Sequence, residues 1–245
     1  VLHVERGGNG PLLVLLHGLG ATGEVWNDVV KDWHGSWLVP DLPGHGRSEP
    51  VERYSFGSFA ASVAEVIPRE PVTIIGHSLG GVVGLALASG WFGVDVTTCV
   101  GVGIKVRWTD EELAKAQALA AKPGKVFATE EEAVERASKM AGVKLRHGVS
   151  EVDGGWTPAL DMKAFGVGRP DMPGLIMAAE AEVVLAAGEN DPMSPQEHLK
   201  ELVPEPVIFP GCGHNVHVES PSSVAQLLAQ VATNPPSAAS TAPVM

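Results

Sequence analysis

Cysteine, basic charge and long apolar runs are all scarce in this chain of 245 residues. Its two cysteines, Cys99 and Cys212, are too few for a disulfide framework and lack the spacing of a zinc site. Both lie in or beside apolar, strand-like runs and read as small buried side chains. Lys and Arg total 17 against 29 Asp and Glu, a net charge of −12. No basic stripe is therefore available to displace counterions from nucleic acid or to hold an anionic membrane. No segment approaches the length of a membrane span, and no charged-then-apolar leader opens the chain, which points to a soluble, cytoplasmic protein. His3, His34, His147 and His198 are scattered along the sequence, which predicts no metal site and no cofactor.

Apolar residues are plentiful, at 44% of the chain, enough for one large core carrying an insertion. Short apolar, mostly β-branched runs at residues 12–16, 36–39, 72–75, 94–100, 182–186 and 206–209 leave room for helices between them, the pattern of a mostly parallel sheet. Residues 1–5, ending at Gly7-Gly8-Asn9-Gly10, read as an edge strand and a hairpin turn. Helical spacing of apolar residues predicts core-facing helices over 55–67 and from Ser220-Pro221 through Val231. Over 105–177 the strand-like runs vanish and two capping boxes appear, Thr109 with Glu112 and Thr129 with Glu132, so this stretch reads as a helical insertion. Residues 1–104 and 178–231 would form the core, and residues 232–245 a disordered tail.

The motif Gly76-His77-Ser78-Leu79-Gly80-Gly81 follows an apolar strand-like run and precedes a small-residue helical run. A serine on a sharp strand-to-helix turn needs glycine two positions before and after it, because side chains there would strike the neighbouring strand and helix. Such a turn sets Ser78 at the positive end of a helix, with the Leu79 N–H facing a developing oxyanion. A serine hydroxyl needs a base, and the base needs a group that fixes its tautomer. Two later loops at strand ends offer both: Gly188-Glu189-Asn190-Asp191-Pro192 a carboxylate, and Pro210-Gly211-Cys212-Gly213-His214 a histidine. In a parallel sheet these loops share one edge with the elbow. Glu189 and His217 are the competing acid and base. The loop His17-Gly18-Leu19-Gly20 supplies a second backbone donor, the Leu19 N–H.

These motifs, with Asp41-Leu42-Pro43-Gly44-His45-Gly46-Arg47-Ser48, resemble the α/β-hydrolase superfamily over nearly all of residues 1–231. The resemblance implies an eight-stranded, mostly parallel sheet flanked by helices, with a helical cap inserted after the sixth strand. It also implies Ser78 as nucleophile, Asp191 as acid and His214, directly after glycine, as base. Asp41, His45 and Arg47 belong to the turn after a strand and read as a network closing that loop. Serine rather than aspartate at position 78 disfavours haloalkane and epoxide chemistry, and Asn215 after His214, where carbon–carbon bond hydrolases of the family usually carry tryptophan, favours esters.

The reading is a carboxylic-ester or lactone hydrolase that works through an acyl-enzyme on a small-molecule substrate. A carbon–carbon bond hydrolase of diketone-like substrates and a slow or non-catalytic ligand receptor on the same fold are the alternatives. Trp108 and Trp156, in the insertion, are candidate substrate-binding residues. The insertion holds very few arginines to clamp an anion, so the expected substrates are uncharged and of small to medium size.

Overall fold

The structure, a computed structural model, describes residues 1–233. Strand β1 (Val4–Gly7) and β2 (Leu12–Leu16) open the chain, followed by a 3-10 turn over Gly23–Trp26, helix α1 (Asn27–Lys31) and β3 (Ser36–Pro40). Helix α2 (Phe56–Ala64), β4 (Val72–His77), α3 (Leu79–Leu87) and β5 (Val96–Val102) come next. The chain then leaves the sheet through α4 (Asp110–Ala120), α5 (Glu130–Ala141), β6 (Val149–Val152), β7 (Gly155–Pro158), a second 3-10 turn over Met162–Val167 and α6 (Met172–Ala178). It returns with β8 (Glu182–Gly188), α7 (Gln196–Leu199), β9 (Val207–Phe209), α8 (Val216–Glu219) and α9 (Pro221–Thr233).

One sheet of seven strands, ordered β1-β3-β2-β4-β5-β8-β9, forms the centre, with every pairing parallel except that of β1 with β3. Its inner strands are buried on both faces, which is why they read as unbroken apolar runs. Leu12, Val14 and Leu16 pack with Phe59, Val63 and the apolar side of α3 on one face, while Leu13 and Leu15 pack with Trp26, Val224 and Leu228 on the other. The register sets Leu16 beside Gly76, His77 beside Val102, and Val102 beside Ala186, so the carboxyl ends of the strands lie along one edge.

Four expectations are corrected. Among the described residues the sheet has seven strands rather than eight, with the single antiparallel strand β1 at the β3 edge. The insertion accordingly follows the fifth strand, not the sixth. Gly7-Gly8-Asn9-Gly10 does not close a hairpin, since β1 pairs with β3 and not with β2. The insertion is not all helical: β6 and β7 form a two-stranded ribbon joined by Asp153-Gly154, with Gly154 at φ 88°. The predicted capping box at Thr109 forms in both directions, the Glu112 carboxylate accepting from Thr109 N–H and the Thr109 hydroxyl from Glu112 N–H. At Thr129 the hydroxyl accepts from Glu132 N–H at 3.3 Å. The tail expected from residue 232 lies outside the described residues apart from its first two, which end α9. Among the described residues no helix is long and apolar enough to cross a membrane.

Candidate active site

Between β4 and α3 the backbone turns sharply at Ser78, which has φ 50° and ψ −113° and is, among the described residues, the one non-glycine with positive φ. Such a conformation costs on the order of 1–3 kcal/mol and persists only where the surroundings enforce it. They do so here. Ser78 N–H donates to the Val102 carbonyl at 2.8 Å, and the Ser78 carbonyl accepts from Gly81 and Val82 at the start of α3. A Cβ on Gly76 would collide with the Gly80 carbonyl, and one on Gly80 with the Leu16 carbonyl, so both glycines are required by contact distance.

The loop after β2 lies against this turn: a Cβ at Gly18 would come within 2.7 Å of His77 Nδ1 and 3.5 Å of Ser78 Cβ. His17, fully buried, accepts from Leu42 N–H at Nε2 (2.8 Å) and donates from Nδ1 to the Gly18 carbonyl (2.8 Å), which fixes its tautomer and anchors the loop. Among the described residues neither the Leu19 N–H nor the Leu79 N–H has a hydrogen-bond acceptor. Two adjacent loops thus present free donors beside a strained serine.

The other sequence-nominated groups also meet. His214 Nδ1–H donates to Asp191 Oδ2 at 2.8 Å, which leaves His214 Nε2 with its lone pair. The Asp191 side chain is buried, and its second oxygen accepts from Met193 N–H at 2.8 Å. Burial alone raises the Asp191 pKa, but the His214 hydrogen bond and charge, helped by the backbone N–H groups of Met193 and Ser194, outweigh it and leave the carboxyl below its ordinary value. Glycine again permits the approach: a Cβ at Gly188 would strike the Gly213 and Cys212 carbonyls, and Gly103, at φ 63°, sits against the His214 ring. The competing residues are placed differently. Glu189 accepts from Gly211 N–H at 2.8 Å. His217 is buried with its ring between Trp26 (4.6 Å) and His77 (4.4 Å), and burial, followed by the charges of His214 and His17, pushes its pKa down to about 3.

Asp41 and Arg47 do not reach this site. Asp41 accepts from Gly23 and Arg47 N–H groups and closes its own turn, as expected of residues in the turn after a strand. Cys99 and Cys212 are buried, and burial raises both thiol pKa values, that of Cys99 to about 12. Trp108 is half-buried in the loop that leaves β5, under the Lys105 ammonium at 4.9 Å, with its indole N–H buried and without a partner among the described residues. Trp156 lies on β7, where its backbone pairs with Phe127.

Two features escape the sequence reading. The His77 Nε2–H donates to the His214 carbonyl at 3.0 Å, and its ring meets that of His214 edge-on at 4.6 Å, so the residue before the serine also holds the histidine loop. The second is a cleft of the insertion on which Lys122, Lys125 and Arg136 converge; the expectation of uncharged substrates counted arginines alone.

A sequence model described as the alpha/beta hydrolase family matches residues 13–227. A pimeloyl-(acyl-carrier protein) methyl ester esterase of Vibrio vulnificus is 40% identical over 89 residues, covering 36% of this chain and 34% of that protein. The chain spans about a third of the length of the curated relatives it matches. Among solved structures, an E-2-(acetamidomethylene)succinate hydrolase superposes with TM-score 0.80 at 20% identity, over 95% of each chain. A thermophilic esterase from Thermogutta terrifontis superposes with TM-score 0.71 at 19% identity, over 95% of this chain and 93% of that one.

Proposed function

The chain belongs to the alpha/beta hydrolase family, and from that premise we propose that it hydrolyses carboxylic esters or lactones through an acyl-enzyme on Ser78. One observation carries the reading: the strained Ser78 turn adjoins the loop of Leu19, among the described residues both Leu19 and Leu79 keep free backbone N–H donors, and His77, next to Ser78, hydrogen-bonds the backbone of His214, whose ring is oriented by a buried carboxylate.

In the first half-reaction His214 Nε2 takes the Ser78 proton as Oγ attacks the ester carbonyl, and the oxyanion settles on the Leu19 and Leu79 N–H groups. The carbon–oxygen bond to the alcohol then breaks, and His214 returns the proton to the leaving oxygen. Water repeats the sequence on the acyl-enzyme and frees Ser78. Asp191 keeps His214 in the Nδ1–H tautomer and stabilises the imidazolium, a task suited to a carboxyl whose pKa is held low. In a lactone the alcohol stays tethered to the acyl group, and no step changes.

The similarity to a methyl ester esterase supports ester chemistry, although the match covers a third of each protein. The segment from α4 to α6 would serve as a cap that limits substrate length, with Trp108 lining the passage it leaves. An activated phosphonate, which phosphonylates serine with loss of its leaving group, tests the nucleophile. One equivalent is expected to add to the native protein, on the peptide carrying Ser78, and none to Ser78→Ala. Labelling of a different residue would overturn the assignment.

A further inference from the structure

A cleft of about 320 Å³ opens in the insertion, with Leu119, Phe127, Met140 and Leu160 half-buried within it and Lys122, Lys125 and Arg136 exposed around it. No carboxylate lines it, in a chain where acids outnumber bases 29 to 17. Four other clefts of the protein each include at least one acidic side chain.

The cations of this cleft differ from their neighbours in another respect. Lys115 pairs with Glu111 at 2.7 Å on α4, Lys139 with Glu135 at 2.9 Å on α5, and Lys105 with Glu112. Arg136 has Glu132 four residues ahead of it, the spacing that pairs Lys139, yet among the described residues neither Arg136 nor Lys122 forms an ion pair. Lys125 instead lies over the Phe127 ring at 4.7 Å. Three like charges around one concavity repel one another, and an anion placed among them relieves that repulsion.

Two residues that line the cleft also pack toward the loop that carries Leu19. The Met140 carbonyl lies 3.2 Å from where a Cβ on Gly20 would stand, one residue beyond Leu19. Leu160 forms a β-bridge with His45, whose ring is 5.1 Å from that of His17 at the root of the same loop. An apolar lining ringed by cations fits a ligand with an anionic end on an apolar spacer.

We propose that this cleft binds an anionic group, a carboxylate or a phosphate, carried by the substrate ester beyond a short apolar spacer. The proposal rests on the ester-hydrolase reading and gives it a substrate class. Its test compares kcat/KM for three activated esters of matched chain length that end in methyl, carboxylate or phosphate. The anionic esters are expected to exceed the methyl-ended one by about tenfold, as one charge-assisted hydrogen bond would give. Whichever anion is favoured identifies the group. In the triple variant Lys122→Gln, Lys125→Gln, Arg136→Gln the ratio of anionic to neutral ester should fall to near one, while Lys115→Gln, whose lysine is already paired, should keep it. A ratio near one in the native protein, or one that survives the triple variant, would overturn the proposal. Calorimetric binding of adipate and of hexyl phosphate, with native and triple-variant protein, separates it from the reaction itself. Binding that the triple variant loses upholds the cleft even if no ester turns over, and absence of binding by both ligands sinks it.

Discussion

At the scale of single residues, the proposed site is a set of backbone groups held in place by imidazoles. His17 anchors the donor loop through both ring nitrogens, His214 is oriented by Asp191, and His77 joins the serine turn to the histidine loop through one hydrogen bond. Replacing His77 with phenylalanine keeps a ring of similar size and removes only the donor. A lost hydrogen bond of ordinary net value, about 1 kcal/mol, corresponds to somewhat less than a tenfold loss. We expect His77→Phe to lower kcat by about that factor with little change in KM, and His77→Gln, which retains an N–H donor, to lose less. Steady-state kinetics on an activated ester checks this, and an unchanged kcat in His77→Phe would deny His77 a positioning role.

Among the elements, what could be read in advance and what could not divide on physical grounds. The strands of the large sheet were legible because burial on both faces selects unbroken apolar runs such as Leu12-Leu13-Val14-Leu15-Leu16. The pairing of Asp191 with His214, on loops at the same sheet edge as the Ser78 turn, was legible because parallel strands deliver their following loops to one edge. Helices α4 and α5 were announced by their Thr-x-x-Glu caps, whose bonds are local. The ribbon of β6 and β7 was not, because strands of four half-exposed residues carry too little alternation; Asp153-Gly154 between them was the available signal. The cationic cleft was illegible for a different reason. Lys122 and Lys125 belong to the loop after α4 and Arg136 to α5, and only the packing of those elements against β7 brings them to one concavity.

For the whole molecule, the buried histidines make stability depend on pH. Burial is the largest cause that lowers the pKa of His17, His45, His77 and His217, to about 3 for His45 and His217. A depressed native pKa means that the folded state refuses protons the unfolded chain accepts below about 6.5. The contribution is therefore fully present above that value and is lost as pH falls from it toward the native values. Each such histidine removes about 1.4 kcal/mol per pH unit in that window, against a total stability of about 5–15 kcal/mol for a typical domain. Urea denaturation midpoints should accordingly be steady from pH 8 to 7 and drop steeply between pH 6.5 and 5. Equal midpoints at pH 7.5 and 5 would show that these rings accept protons without unfolding the protein.

The central claim, that Ser78 and His214 act together as nucleophile and base, is tested most directly by kcat/KM for an activated ester with the native protein, Ser78→Ala, His214→Ala and the double variant. Because the residues act as one unit, each single substitution should lower the rate by roughly three to six orders of magnitude, and the double variant should fall little further. A Ser78→Ala protein that keeps activity near the native rate, or losses that multiply in the double variant, would contradict the account.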